Sequence, residues 1–88
     1  MKIYWTGTSK NIIGPRVRLL RQSRGLTQKA LAEKLQLEGY DMTDLTVLQI
    51  ENGTRFVADY EVKALSRVLG VSCGELLGET SNPDRPVD

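Results

Sequence analysis

With twelve lysines and arginines, eleven acids, one cysteine and no histidine, the chain is equipped for charge pairing and hydrogen bonding rather than for proton relay. The absence of histidine excludes imidazole acid–base catalysis and any histidine-containing zinc site. A single cysteine cannot build a disulfide framework within the chain, and Cys73, set beside apolar positions, reads as a small packing residue rather than a redox sensor. Acids and lysines are present, but no nucleophile–base pair or ligand cluster has a recognisable spacing, so neither enzyme activity nor a metal or cofactor is expected. The charge is unevenly placed. Residues 1–29 hold Lys2, Lys10, Arg16, Arg18, Arg21, Arg24 and Lys29 with no acid, a balance of +7, whereas the remainder holds five basic and eleven acidic residues, a balance of −6. Gathered on one side of a compact domain, the basic third would supply the positive face that phosphates require; spread along helix 1, it would be ordinary solvated surface.

The elements that must position such residues are helical. A chain of 88 residues makes one domain, and one this short buries only about 60% of its unfolded surface. Thr27 is suited to cap a helix opening at Gln28, because its hydroxyl can accept from a first-turn amide, and Gly25 before it suits the left-handed stop of a preceding helix. Leu31 and Leu35 share one face of that helix, with Ala32 as the small residue that admits a close crossing. The crossing partner is expected over residues 44–52, capped by Thr43, with Val47 and Ile50 inward and Gly53 as its stop. Helix 1 is expected over residues 15–24, with Pro15 in the first turn and Ile13, Val17 and Leu20 as its stripe. Helix 4 is expected over residues 59–69 with Asp59 as N-cap, Val62, Leu65 and Leu69 on one face and Gly70 as stop. A short fifth helix follows, opened by the Ser72 and Glu75 capping-box spacing, with Leu76 and Leu77 returning to the core. No strand, repeat or low-complexity segment is expected. The polar, proline-bearing residues 78–88 read as a disordered tail and residues 1–11 as an N-terminal arm carrying Ile3, Tyr4 and Trp5. Those three either fold back on the bundle or meet a partner.

Three blocks in order, IGPRVRLLRQSRGLTQKALAEKL, IENGTR and ALSRVLGVSCGELL, cover residues 12–77. Together they make the chain similar to the phage repressor and Cro (XRE) family of helix-turn-helix transcriptional regulators. The resemblance implies an all-α, compact five-helix, lambda-repressor-like DNA-binding domain. It places base contacts at Asp44, Leu45, Leu48 and Gln49 on the third helix. Gln49 could bond an adenine bidentately, Leu45 and Leu48 touch thymine methyls, and Asp44 accept from cytosine or simply serve the helix N-terminus. Backbone contacts fall to Gln28, Asn52, Thr54 and Arg55, with Arg55 supplying charge. A structural ion pair joins Arg21 to Glu51. One departure stands out. Leu35 and Val47 are twelve positions apart, about five more than in the phage repressors that the chain resembles, whose compact motif has a turn of only three or four residues. The extra residues fall within 36–42, where Gly39 can end a longer helix 2 and Tyr40 or Met42 can cover the core. The insertion also brings Glu38 and Asp41 near the expected DNA, which should weaken binding unless they point away.

The function expected from this resemblance is sequence-specific regulation of transcription, by a repressor that occupies its operator. A single module offers too little surface for a tight site. A homodimer on double-stranded DNA is therefore expected, joined through helix 5, the loop at Phe56 and Val57, or the arm. The alternative is a protein-interaction module of the same fold, antitoxin-like or partner-binding, with weak DNA binding; Leu45 and Leu48 on an outer face would suit a partner groove. With no apolar run of bilayer length and no signal-peptide pattern, no membrane association and a cytoplasmic location are expected.

Overall fold

The computed structural model describes residues 9–79 and places five helices in them, with no strand among the described residues. They are α1 (Gly14–Ser23), α2 (Gln28–Leu37), α3 (Asp44–Glu51), α4 (Asp59–Leu69) and α5 (Cys73–Leu76). Each boundary has a local cause. Thr27 Oγ1 accepts from Ala30 N at 3.0 Å to open α2. Thr43 Oγ1 accepts from Thr46 N, and Thr46 Oγ1 in turn accepts from Thr43 N, both at 3.3 Å, so α3 opens with a reciprocal cap made by two threonines. Gly70 ends α4 at φ +72°, a conformation open to glycine without Cβ strain.

The core is continuous. Ile13 and Val17 of α1, Leu31, Ala32 and Leu35 of α2, Val47 and Ile50 of α3, Leu65 and Leu69 of α4 and Leu76 of α5 are buried together. Leu20 and Val62 pack half-buried at its edge. Ala32 does what its size allows, because α2 and α3 cross in direct contact while α1 backs onto α3. None of the described helices is long and apolar enough to cross a membrane.

Two expectations are corrected here. Asp59 is the first residue of α4 rather than its N-cap; Ala58 stands at the cap, has no side-chain acceptor, and Glu61 reaches back to take the Ala58 amide at 2.9 Å. Leu77 does not return to the core. It lies beyond the four-residue α5, roughly a hundred degrees of helical rotation from Leu76, and keeps 39% of its surface exposed while Leu76 is fully buried. The half of the Ser72 capping box that forms is the Ser72 Oγ acceptor for Glu75 N. Cys73 is half-buried, its Sγ 3.4 Å from Ser66 Oγ. The expectations for Ile3, Tyr4 and Trp5, and for the tail beyond Glu79, lie outside the described residues.

Candidate nucleic-acid interface

Helix α3 buries one face and leaves the other exposed, with apolar side chains on both. Val47 and Ile50 are buried to 1% and 0%, whereas Leu45 and Leu48 on the opposite side retain 58% and 41% of their exposure. Asp44 is exposed and Gln49 half-buried beside them. The structure therefore brings the four expected base-contact residues onto one outward surface of one helix. Asp44 already has a local duty, since its Oδ1 accepts from Leu45 N at 3.0 Å. A carboxylate at that end of α3 also faces the positive pole of the helix.

The pose of this helix is held at its other end. Glu51 closes α3, and its carboxylate accepts from Arg21 Nε at 2.6 Å and from Arg21 Nη2 at 3.1 Å, the bidentate fork expected. The two side chains keep 11% and 3% of their exposure. Arg21 spends its remaining nitrogen on Leu26 O at 2.8 Å, in the turn leading to α2. One ion pair thus ties α1, the α1–α2 turn and α3 together. Hydrogen bonding to Glu51 raises the Arg21 pKa above its ordinary value against the opposing effect of burial. Gln28 joins the same carboxylate, donating from Nε2 to Glu51 Oε1 at 3.2 Å, so a residue expected to meet phosphate is pre-set by the buried pair.

A residue missed by sequence reasoning supports the same end of α3. Asn11 donates through Nδ2 to Ile50 O at 3.1 Å and to Arg55 O at 2.9 Å, while its Oδ1 accepts from Gly14 N at 2.8 Å. It satisfies an orphan donor of α1, one carbonyl in the last turn of α3 and one in the loop that follows. The approach is close enough to exclude a side chain at position 14, where a Cβ would collide with Ile50 O and lie 2.9 Å from Glu51 O. The spacing of an Asn three residues before the helix start was the available signal. Its long-range partners were not legible.

The loop after α3 carries the other expected contacts. Asn52 Oδ1 accepts from Thr54 Oγ1 at 2.7 Å and from Thr54 N at 3.2 Å, a local turn that uses the amide oxygen. Arg55 differs from the expectation of a freely available charge. Its Nη2 lies 2.8 Å from Glu61 Oε2, and its Nε is enclosed without a partner. The ordering of this loop also involves Lys10, whose amide donates to Gly53 O at 2.8 Å and whose ammonium lies 5.6 Å from the Phe56 ring centre.

The lengthened connection between α2 and α3 is built rather than loose. Gln36 Nε2 donates to Met42 O at 2.7 Å, Tyr40 N donates to Leu35 O at 3.1 Å, and Gly39 turns the chain at φ +92°. Met42 enters the core at 2% exposure. Tyr40 stacks on Tyr60 of α4 with ring centres 6.4 Å apart, and Glu38 pairs with Arg67 of α4 at 3.3 Å. Glu38 is thereby balanced by a cation of the same domain.

The basic third sends three of its arginines to different parts of the domain. Among its described members, Arg21 is spent on Glu51, Arg24 donates from Nε to Leu69 O at the end of α4, and the Arg16 guanidinium lies over Gly78 beyond α5. Helix 1 turns by about a hundred degrees per residue, so arginines at positions 16, 18, 21 and 24 cannot share one direction.

Comparison with known proteins agrees with this arrangement. A helix-turn-helix family model matches residues 17–76, which span α2 and α3 and most of the bundle. Among solved structures, the fold is similar to that of the P22 c2 repressor protein, solved in complex with synthetic operator 9T. The TM-score is 0.67 at 23% sequence identity, covering 80% of this chain and 98% of that one. A search of curated proteins found no relative. A model match over most of the chain, together with α2 and α3 crossing as the residues required, bears out the expected kinship with phage repressor and Cro-like regulators: the chain belongs to the helix-turn-helix family.

Proposed function

We propose that this DNA-binding transcriptional regulator is a repressor that acts by occupying its operator, with α3 in the major groove. The observation that carries the reading is the outward face of α3. It sets the amide of Gln49, the apolar surfaces of Leu45 and Leu48 and the carboxylate of Asp44 side by side on a rigid, doubly anchored helix. An amide can read adenine bidentately and apolar side chains can read thymine methyls, so this face favours A·T-containing sites. Gln28, Asn52 and Thr54 flank it and supply backbone contacts, which position the protein without naming a sequence. The P22 c2 repressor is a similarly folded protein captured on an operator, which supports the same use of the fold here. A single module of this kind buries only about 600–1,000 Å² on DNA, so the working form is a cytoplasmic homodimer on two half-sites. The exposed Leu77 beside α5 supports that end as part of the interface.

A second reading draws on the same helix. Leu45 and Leu48 form an exposed apolar pair next to Asp44, a surface that a protein partner could also cover. The deciding experiment is selection of bound duplexes from a random pool, followed by binding of the winner and a scrambled duplex. Enrichment of a two-fold symmetric site, with affinity about a thousandfold above the scrambled duplex, is expected for an operator-binding dimer. No enrichment, with Leu45→Ala abolishing capture of a protein partner, would replace the repressor with an interaction module.

A further inference from the structure

The cation of the α3–α4 loop is not free. Arg55 Nη2 lies 2.8 Å from Glu61 Oε2, and Glu61 is itself 7% exposed and anchored through its other oxygen to the Ala58 amide at 2.9 Å. The backbone of Arg55 is pinned as well, its carbonyl accepting from Asn11 Nδ2 at 2.9 Å. Arg55 Nε is enclosed with nothing to bond, a cost that the side chain bears while its head is held by Glu61. The ion pair, rather than the arginine's own hydrogen-bonding optimum, therefore sets this pose. About a third of the Arg55 side chain remains accessible, at 34% exposure, so the pair sits at the surface with its carboxylate turned inward.

We propose that Glu61 is a specificity-determining residue. By pairing Arg55 it turns the loop's cation into a neutralised, oriented donor, which suppresses sequence-independent attraction to DNA and leaves a directed contact in the docked complex. The inference rests on the operator reading given above. Non-specific binding is driven by counterion release, and each phosphate newly neutralised contributes about 0.9 to the slope of log affinity against log salt. An arginine already matched to a carboxylate releases almost none. The other arginine near the recognition helix, Arg21, is also spent internally on Glu51, and Asp44 adds a negative charge to the reading face. The surface thus takes no free charge from either of these arginines where it meets DNA. Its preference for the right sequence depends on groups that act only when correctly docked.

The test measures salt-dependent binding of the selected operator and a scrambled duplex to the wild-type chain, Arg55→Gln, Glu61→Gln and the double variant. Arg55→Gln is expected to leave the scrambled-duplex slope unchanged within about 0.3, because its charge was already cancelled. Glu61→Gln, whose amide oxygen can still accept from Ala58 N, is expected to steepen that slope by about 0.9 and tighten scrambled DNA several-fold more than operator, lowering the ratio between them. The double variant should return to the wild-type slope. Three results overturn the proposal: Arg55→Gln alone flattening the slope by about 0.9, Glu61→Gln leaving scrambled binding unchanged, or its gain surviving in the double variant. Should Glu61→Gln fail to fold, the Arg55→Gln slope decides by itself. Failure of the wild-type chain to select any site sinks the operator reading, whereas a selected site with a flattened Arg55→Gln slope sinks only the role of Glu61.

Discussion

Replacing Glu51 by alanine removes a carboxylate that holds two nitrogens of Arg21 and one of Gln28, at 2.6, 3.1 and 3.2 Å. What remains is a guanidinium at 11% exposure that cannot shed its proton, satisfied only through Leu26 O. Each charge-assisted bond is worth about 1.5–3 kcal/mol net, but three bonds to one carboxylate are not additive. Loss of one partner from a buried pair costs about 3–5 kcal/mol, and that is the expected destabilisation of Glu51→Ala. For a domain of this size a kcal/mol is worth about 4–8 °C, so the melting temperature should fall by at least about 12 °C. Urea denaturation followed by circular dichroism measures this directly. The control is the double replacement Arg21→Met with Glu51→Leu, which strands no buried charge and should retain more stability than Glu51→Ala alone. A loss below about 1 kcal/mol for Glu51→Ala would mean that the pair behaves as a solvated surface bridge, and the account of how α3 is held would be wrong.

Three further outcomes are expected. Gly14→Ala should destabilise the domain by about 1–3 kcal/mol in a thermal melt, because its methyl group meets the Ile50 and Glu51 carbonyls. Tyr60→Ala should cost about 0.5–1.5 kcal/mol beyond lost burial and raise amide exchange through Gly39–Met42, since it removes the ring on which Tyr40 stacks. Gln49→Ala should relax base preference at one position of the selected site by about 1–3 kcal/mol without altering the salt slope, as competition between single-base variants of the duplex would reveal.

Helix existence and the core were legible because they rest on short-range rules. Threonine caps at 27 and 43, apolar residues at helical spacing and a glycine stop at 70 are consequences of backbone hydrogen bonding and of which side chains tolerate a positive φ. The lengthened connection was legible as an excess of residues and as a role for Met42, but not as a structure. Its docking depends on Tyr60, twenty residues beyond Tyr40, and on Arg67, twenty-nine beyond Glu38, and only the crossing of α2 over α4 brings them within reach. Leu77 was misjudged because hydropathy says that a leucine favours the core, not whether a four-residue helix turns it inward.

The site divides the same way. Sequence by itself determined which residues α3 would show to the outside, since burying Val47 and Ile50 forces Leu45, Leu48 and Asp44 away from the core on a helix of 3.6 residues per turn. It also determined that no imidazole chemistry was available, because composition is independent of folding. Only the tertiary structure decided what the charges are worth. Coulomb interactions fall off with distance in space rather than along the chain. Arg21, Arg24 and Arg16 accordingly go to α3, α4 and the end of α5, and Arg55 is matched by Glu61 across the turn that opens α4.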